Sequence, residues 1–381
     1  MKINFIGTIM NSTGYDIHCK SLVNALYELN PDIKLEVPLP PNWMRFVNDA
    51  ELNMITKEPR KADVNIAVTQ PQFWKLYMDN CDKFVGFLVF EGSSIPKYWI
   101  EYLLDEKVTQ IWVPSEHTKE AILNTTNNKK IIDKIRIVPH GVDLNIFKPQ
   151  RRGSSVRSEL CPDVAEVAGS NPAPFTFMCN KGWRGGMEDR GGVGYVLKAY
   201  CEEFRKDENV SLLIKLNPSY LNPQLLKQKL DELNLPKDRP EIKVNIDNMP
   251  HKDIPKLYCE GDVYVCAQRA DSFDLGTAEG MACGLPVLTS GYGGQIEHMK
   301  ENENALFFDY KLEEVKGDIN YEGVNWCIPD IKDIKKKMRW SFENQNKIKE
   351  MGKNAQEFIS KNFAWRMSAK KALNFLNEIK Q

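Results

Sequence analysis

The stretch Asp262-Val-Tyr-Val-Cys-Ala-Gln-Arg-Ala-Asp271-Ser-Phe-Asp-Leu-Gly-Thr-Ala-Glu279-Gly-Met-Ala-Cys-Gly284-Leu-Pro-Val-Leu-Thr-Ser290 decides the fold. Its first part, Asp262–Arg269, is apolar and reads as a buried strand. A polar turn follows at Asp271. Small residues then open a helix expected over Thr277–Cys283, and Leu285–Ser290 reads as a second strand. Strand, helix and strand in close succession make a parallel unit, because two parallel strands need a crossover. The turn then lies at the carboxyl end of a strand, where open α/β sheets bind ligands.

Working outward, the same alternation runs through the chain. Before the quoted stretch, apolar runs predict strands at Phe175–Asn180, Val210–Leu216 and Glu241–Ile246, and after it at Ala305–Asp309. The first half predicts strands at Lys2–Gly7, Leu35–Leu39, Val64–Gln70, Lys83–Val89, Gln110–Ser115 and Arg136–His140. Near-continuous apolar runs are what strands buried on both faces require. Amphipathic stretches lie between them, such as Lys20–Asn30 and Tyr195–Phe204. Two such series predict an α/β protein of two Rossmann-like, doubly wound domains. The first is expected over residues 1–150 and the second over 172–360, with a terminal helix at about 363–381. The breakers between Lys148 and Pro174 mark the boundary, with a short helix expected over Ser155–Val167.

The 381 residues suffice for two cores, and the formal net charge of -1 gives no global pull toward nucleic acid or an anionic membrane. Nine cysteines without metal spacing fit a reducing compartment, so the chain is expected in the cytoplasm. No apolar run reaches the ~18 residues of a membrane span.

The chemistry of the quoted stretch follows from its elements. The amides of Leu275, Gly276 and Thr277 open a helix, and free amides at a positive helix end suit a diphosphate. Gly276 and Gly280 are expected to let a ligand come close. Glu279, about one turn in, can accept from a ribose diol, and Asp271 can reach sugar hydroxyls. A plainer reading is that both carboxylates only cap and solvate a helix terminus.

The segment Asp271 to Val287 resembles the acidic-x7-acidic signature of the family 4 retaining glycosyltransferases, which have the GT-B fold of two facing Rossmann-like domains. Asp271 stands for the usual first Glu, and Glu279 matches the second, which in that family holds the donor ribose. Gly284-Leu-Pro286-Val follows as in the family. Supporting matches are Ile137-Val-Pro-His-Gly141-Val-Asp143 with Phe147-Lys-Pro149, Trp112-Val-Pro-Ser115, and Phe363-Ala-Trp365 at the start of a helix that in the family packs back on the first domain.

The resemblance implies transfer of a sugar from a UDP- or GDP-linked donor to a glycan, lipid-linked or other hydroxyl, with retention and without a metal or other cofactor. It implies that the first domain binds the acceptor and the second the nucleotide sugar. It also assigns residues. Asp271, Glu91, Arg184 and Arg190 are the expected catalytic group. Gly14, Lys181, Phe273, Leu275, Gly276, Thr277 and Glu279 are the expected donor-binding group.

Two departures stand out. The family has an Arg and a Lys after the first strand of the second domain. Here Lys181-Gly-Trp-Arg184-Gly-Gly-Met-Glu-Asp-Arg190-Gly191-Gly places Gly191 where the Lys belongs, so Arg190 or Lys181 must take its part. Glu91 stands at or beside the family's His of the first domain. The histidines are read as structural. Two rivals remain: a nucleotide-sugar epimerase of the same fold, and an inactive partner subunit. Nucleic acid is not an expected partner, and a location at the inner face of the membrane is the alternative to the open cytoplasm.

Overall fold

A computed structural model describes residues 1–9, 13–38, 47–149, 173–186, 189–317 and 321–379. The first sheet is built from β1 (Ile3–Ile6), β2 (Ile33–Glu36), β3 (Ala62–Val68), β4 (Cys81–Phe87), β5 (Val108–Val113) and β6 (Ile135–Ile137). All pairs are parallel, in the order β2-β1-β3-β4-β5-β6. The second contains β7 (Phe175–Lys181), β8 (Val210–Leu216), β9 (Glu241–Asn245), β10 (Val263–Cys266), β11 (Val287–Ser290) and β12 (Ala305–Phe308). It too is parallel, in the order β12-β11-β10-β7-β8-β9.

Each strand overlaps the apolar run that predicts it, but β2, β3, β4 and β5 begin two residues before the expected Leu35, Val64, Lys83 and Gln110, and β11 begins two residues after the expected Leu285. The helices start earlier than their apolar stripes, at Gly14, Val193 and Leu275, because the capping turns are polar or small. The helix expected over Ser155–Val167 lies outside the described residues, as does most of the boundary segment.

Burial follows the sheets. Phe5, Ile66, Val85 and Trp112 are buried on one side of the first sheet with the helix Gly14–Leu29. The last helix, Trp365–Glu378, adds Trp365, Ala369, Ala372 and Leu376 to this same core. The chain crosses between the halves twice, side by side: the Val142 amide donates to the Phe363 carbonyl at 2.7 Å. Val142 and Phe147 meanwhile pack into a second-half core with Tyr258, Tyr264 and Met281.

An antiparallel hairpin, β13 (Tyr310–Glu314) with β14 (Asn325–Pro329), was not expected from the sequence. Every residue of β13 is exposed, so it carries no apolar face to read. Among the described residues no helix is long and apolar enough to cross a membrane.

Candidate active site

The order of the second sheet reverses between β7 and β10, and a crevice forms at the carboxyl ends of such a strand pair. The loops leaving β7 and β10 therefore face each other. The first carries Lys181 and residues 182–192; the second carries Asp271 and Asp274. The Lys181 ammonium lies 2.7 Å from Asp274 and 3.6 Å from Asp271. Burial opposes its charge, but Asp274 and Asp271 outweigh that and raise its pKa.

Asp271 accepts from the amides of Phe273 and Asp274 at 3.3 and 3.0 Å. Burial alone would raise its pKa; Lys181, Arg190 and those amides hold it below the usual value. Asp274 takes the left-handed backbone (φ 62°) that Asp tolerates better than most residues, and its side chain caps the Thr277 amide. Burial lifts its pKa. Asp274 was missed in the sequence. An Asp two residues before Gly-Thr reads as turn filler until its cap and its lysine are seen.

The loop after β7 is shaped by Asp189. Its carboxylate accepts from the amides of Arg184, Gly185 and Gly191 at 2.9, 2.8 and 2.9 Å. A Cβ at Gly191 would stand 2.4 Å from the Gly182 carbonyl oxygen, so no side chain fits there without moving backbone. The place where a lysine was expected is closed, while Lys181 enters the crevice from the end of β7. Arg190 also reaches in, and its guanidinium pairs with Glu91 of the first domain at 2.7 Å. Burial weighs against its charge, yet Glu91 and Asp271 raise its pKa.

The structure thus brings together Asp271, Lys181, Arg190 and Glu91, one carboxylate from each domain and two cations between them. Arg184 is not in this group. It is exposed, and its guanidinium stacks 5.0 Å from the Tyr220 ring. Ser115 donates to the Ser272 carbonyl at 2.7 Å, fixing the first domain beside Asp271. The His117 ring lies in the field of Asp271, although burial pushes its pKa down to about 4.

Glu279 is buried and has two partners: His251 at 2.6 Å and the Tyr258 hydroxyl at 3.3 Å. Burial works against a charged His251, but Glu279 raises its pKa overall. His251 is read from the sequence as structural; its glutamate is 28 residues away, beyond any local pattern. His251 also lines an open cleft of about 1200 Å³ between the halves, with Asp16, Lys20, Asn145, Asn248 and Arg366.

The remaining expected residues sort by packing. Gly14 begins its helix, and a Cβ there would meet nothing within 4 Å. Ser12, just before it, lies outside the described residues. Phe273 is fully buried between the His140 and His298 rings, at 5.1 and 4.8 Å, so only its backbone faces the turn. Leu275 packs against cores of both halves. The Thr277 hydroxyl donates back to the Asp274 carbonyl and meets His298. At Gly276 and Gly280 a Cβ would stand 2.9 and 2.8 Å from Tyr264, so the missing side chains let the helix lie on β10. Among the described residues, no group of three or more His, Cys, Asp or Glu could hold a metal ion.

Residues 182–319 match the family model described as glycosyl transferases group 1. Spore coat protein SA of Bacillus subtilis is 23% identical over 276 residues, 71% of this chain and 65% of that protein. The D-inositol 3-phosphate glycosyltransferase of Segniliparus rotundus is 26% identical over 184 residues, 46% of this chain and 36% of that protein. The match therefore spans less than two thirds of either relative. Among solved structures, a glycosyltransferase from Rickettsia africae superposes with a TM-score of 0.72 at 16% identity, over 100% of this chain and 98% of that one. HepE of Anabaena, in complex with UDP and glucose, gives 0.71 at 14% identity, over 99% and 100%. The two parallel sheets facing across a cleft are the GT-B fold, and residues 182–319 resemble the glycosyl transferases group 1.

Proposed function

We propose that the chain is a retaining glycosyltransferase that moves a sugar from a nucleoside diphosphate to an acceptor hydroxyl. The observation that carries this is one crevice in which Lys181 pairs with Asp271 while Arg190 pairs with Glu91 across the domain boundary. The family match over the same loops supports it, and so do relatives and structural neighbours named as glycosyltransferases or holding UDP.

In this reading the diphosphate lies by Lys181 and Arg190 and the amides that open the helix Leu275–Ala282. Glu279 takes the ribose, and the base extends toward His251 and the adjoining cleft. Fixed cations lower the energy of the leaving diphosphate, whose charge grows as the bond breaks. The bond from the anomeric carbon to the phosphate oxygen breaks, and the acceptor oxygen bonds to that carbon on the same face. The acceptor proton passes to the departing phosphate oxygen. Asp271 and Glu91, one from each domain, offset positive charge on the sugar ring. Their ion pairs with Lys181 and Arg190 are the resting state, and an entering diphosphate competes for the same cations. Exposed Arg184 can join only by leaving Tyr220.

The experiment is a thermal-shift panel of UDP-glucose, UDP-N-acetylglucosamine, UDP-galactose and GDP-mannose, followed by release of nucleotide with and without sugar acceptors. Stabilisation by one donor, and acceptor-dependent release, is the expected result. Conversion of the donor to a stereoisomer without an acceptor would point to the epimerase, and binding of none of them would defeat the reading.

A further inference from the structure

The tip of the unexpected hairpin, residues 321–326, belongs to the second half of the chain yet is seated in the first domain. The Tyr321 hydroxyl donates to the Glu91 carboxylate at 3.1 Å, and its ring stacks on Phe90 at 5.4 Å. The Trp326 indole donates to the Glu91 carbonyl at 3.0 Å. Ser93 and Asn325 exchange two bonds: the Asn325 amide donates to the Ser93 hydroxyl at 2.8 Å, and the Ser93 amide to the Asn325 carbonyl at 3.3 Å. Val324 is buried in a first-domain core with Phe90, Ile95 and Trp99. It fits because residue 92 is glycine: a Cβ there would stand 2.2 Å from a Val324 methyl.

The same hairpin is fastened to the loop that carries Asp271. The Cys327 amide donates to the Arg269 carbonyl at 2.9 Å, and the Arg269 side chain donates back to the Cys327 carbonyl at 3.0 Å. One short segment therefore holds the backbone and carboxylate of Glu91 from one side and the Asp271 loop from the other. A carboxylate so held, with one oxygen on Tyr321 and the other on Arg190, has little rotational freedom left.

We propose that Tyr321 is a positioning residue and that the hairpin tip, seated through Val324 over Gly92, sets the placement of Glu91 opposite Asp271. The proposal rests on Glu91 acting in the transfer reaction. Positioning groups act on the reacting geometry and leave nucleotide binding alone, so they are read in kcat more than in donor affinity.

Four variants test it: Tyr321→Phe, which keeps the ring and removes the hydroxyl; Gly92→Ala, which adds the obstructing Cβ; Gly92→Ala with Val324→Ala, which removes the obstructed methyls; and Glu91→Gln. Each is measured for kcat and KM with the donor selected by the panel, for UDP affinity by calorimetry, and for thermal melting. Tyr321→Phe should lower kcat about tenfold or more, because a carboxylate freed on one side loses its placement against the sugar, with UDP affinity near wild type and a cooperative melting transition retained. Gly92→Ala should lower kcat as well, and adding Val324→Ala should restore most of it. A wild-type kcat in Tyr321→Phe alongside a slow Glu91→Gln overturns the positioning role and leaves the site standing. A wild-type kcat in Glu91→Gln removes Glu91 from the reaction, and the positioning proposal with it.

Discussion

Replacing Glu279 by Gln should weaken binding of UDP by roughly 10- to 150-fold. The carboxylate is buried, with one oxygen 2.6 Å from His251 and the other 3.3 Å from the Tyr258 hydroxyl. A ribose diol would donate into the lone pairs those partners leave. Gln keeps the shape but exchanges one acceptor for an amino group, which must face either His251 or the ribose. The lost charge-assisted bond is worth about 1.5–3 kcal/mol, and each ~1.4 kcal/mol is a tenfold change in Kd. Titration calorimetry with UDP measures it, with thermal melting to show that the variant is folded. A folded Glu279→Gln that binds UDP as tightly as wild type would refute the assignment of the ribose to this residue.

The same pair gives a pH dependence of stability. Glu279 raises the pKa of His251, so the protonated imidazole stabilises the folded chain. That contribution is complete below about 6.5, the ordinary imidazole value, and is lost as pH rises through the elevated folded pKa. The melting temperatures of wild type and Glu279→Gln should therefore draw together as pH rises from 6 to 9, and parallel curves would count against the pairing. Gly191→Ala should destabilise the loop by about 1–3 kcal/mol, the usual cost of overpacking, because its Cβ would stand 2.4 Å from the Gly182 carbonyl. Denaturant unfolding gives the value, and no loss would mean the loop yields freely. Turnover should survive EDTA, since Lys181 and Arg190 are fixed cations where the diphosphate is proposed to lie; a strict requirement for added manganese would remove that part of the account.

Much of the fold was legible because parallel strands buried on both faces need long apolar runs, such as Val210–Leu216, which matches β8 end to end. Asp271 and Glu279 stand out as candidates because one precedes, and the other lies in, a helix with a distinctive run of small residues. What the sequence hid depends on partners far along the chain. Glu91 and Arg190 meet across 99 positions, and nothing local to either announces the other. The hairpin strand Tyr310–Glu314 is short, charged and exposed, so it lacks an alternating apolar face. Lys181 and Arg190 were the two candidates for a missing cation. Both enter the crevice, which no local pattern shows, while the carbonyl of Gly182 leaves no room for a side chain at Gly191. The packing of the helix glycines on Tyr264 was hidden as well, because packing and room for a ligand leave the same residue in the sequence.

In the proposed reaction Asp271, set between Lys181 and Arg190, acts on the sugar during transfer. The direct measurement is acceptor-dependent release of nucleotide by Asp271→Asn, with saturating donor and acceptor, beside calorimetry with UDP. The amide keeps the size of the side chain and removes its charge. If the carboxylate stabilises the cationic sugar mainly in the transition state, kcat should fall about 100-fold or more, while UDP affinity stays within a few-fold of wild type. A wild-type kcat in the folded variant would contradict the claim, leaving Asp271 as a cap for the amides of Phe273 and Asp274.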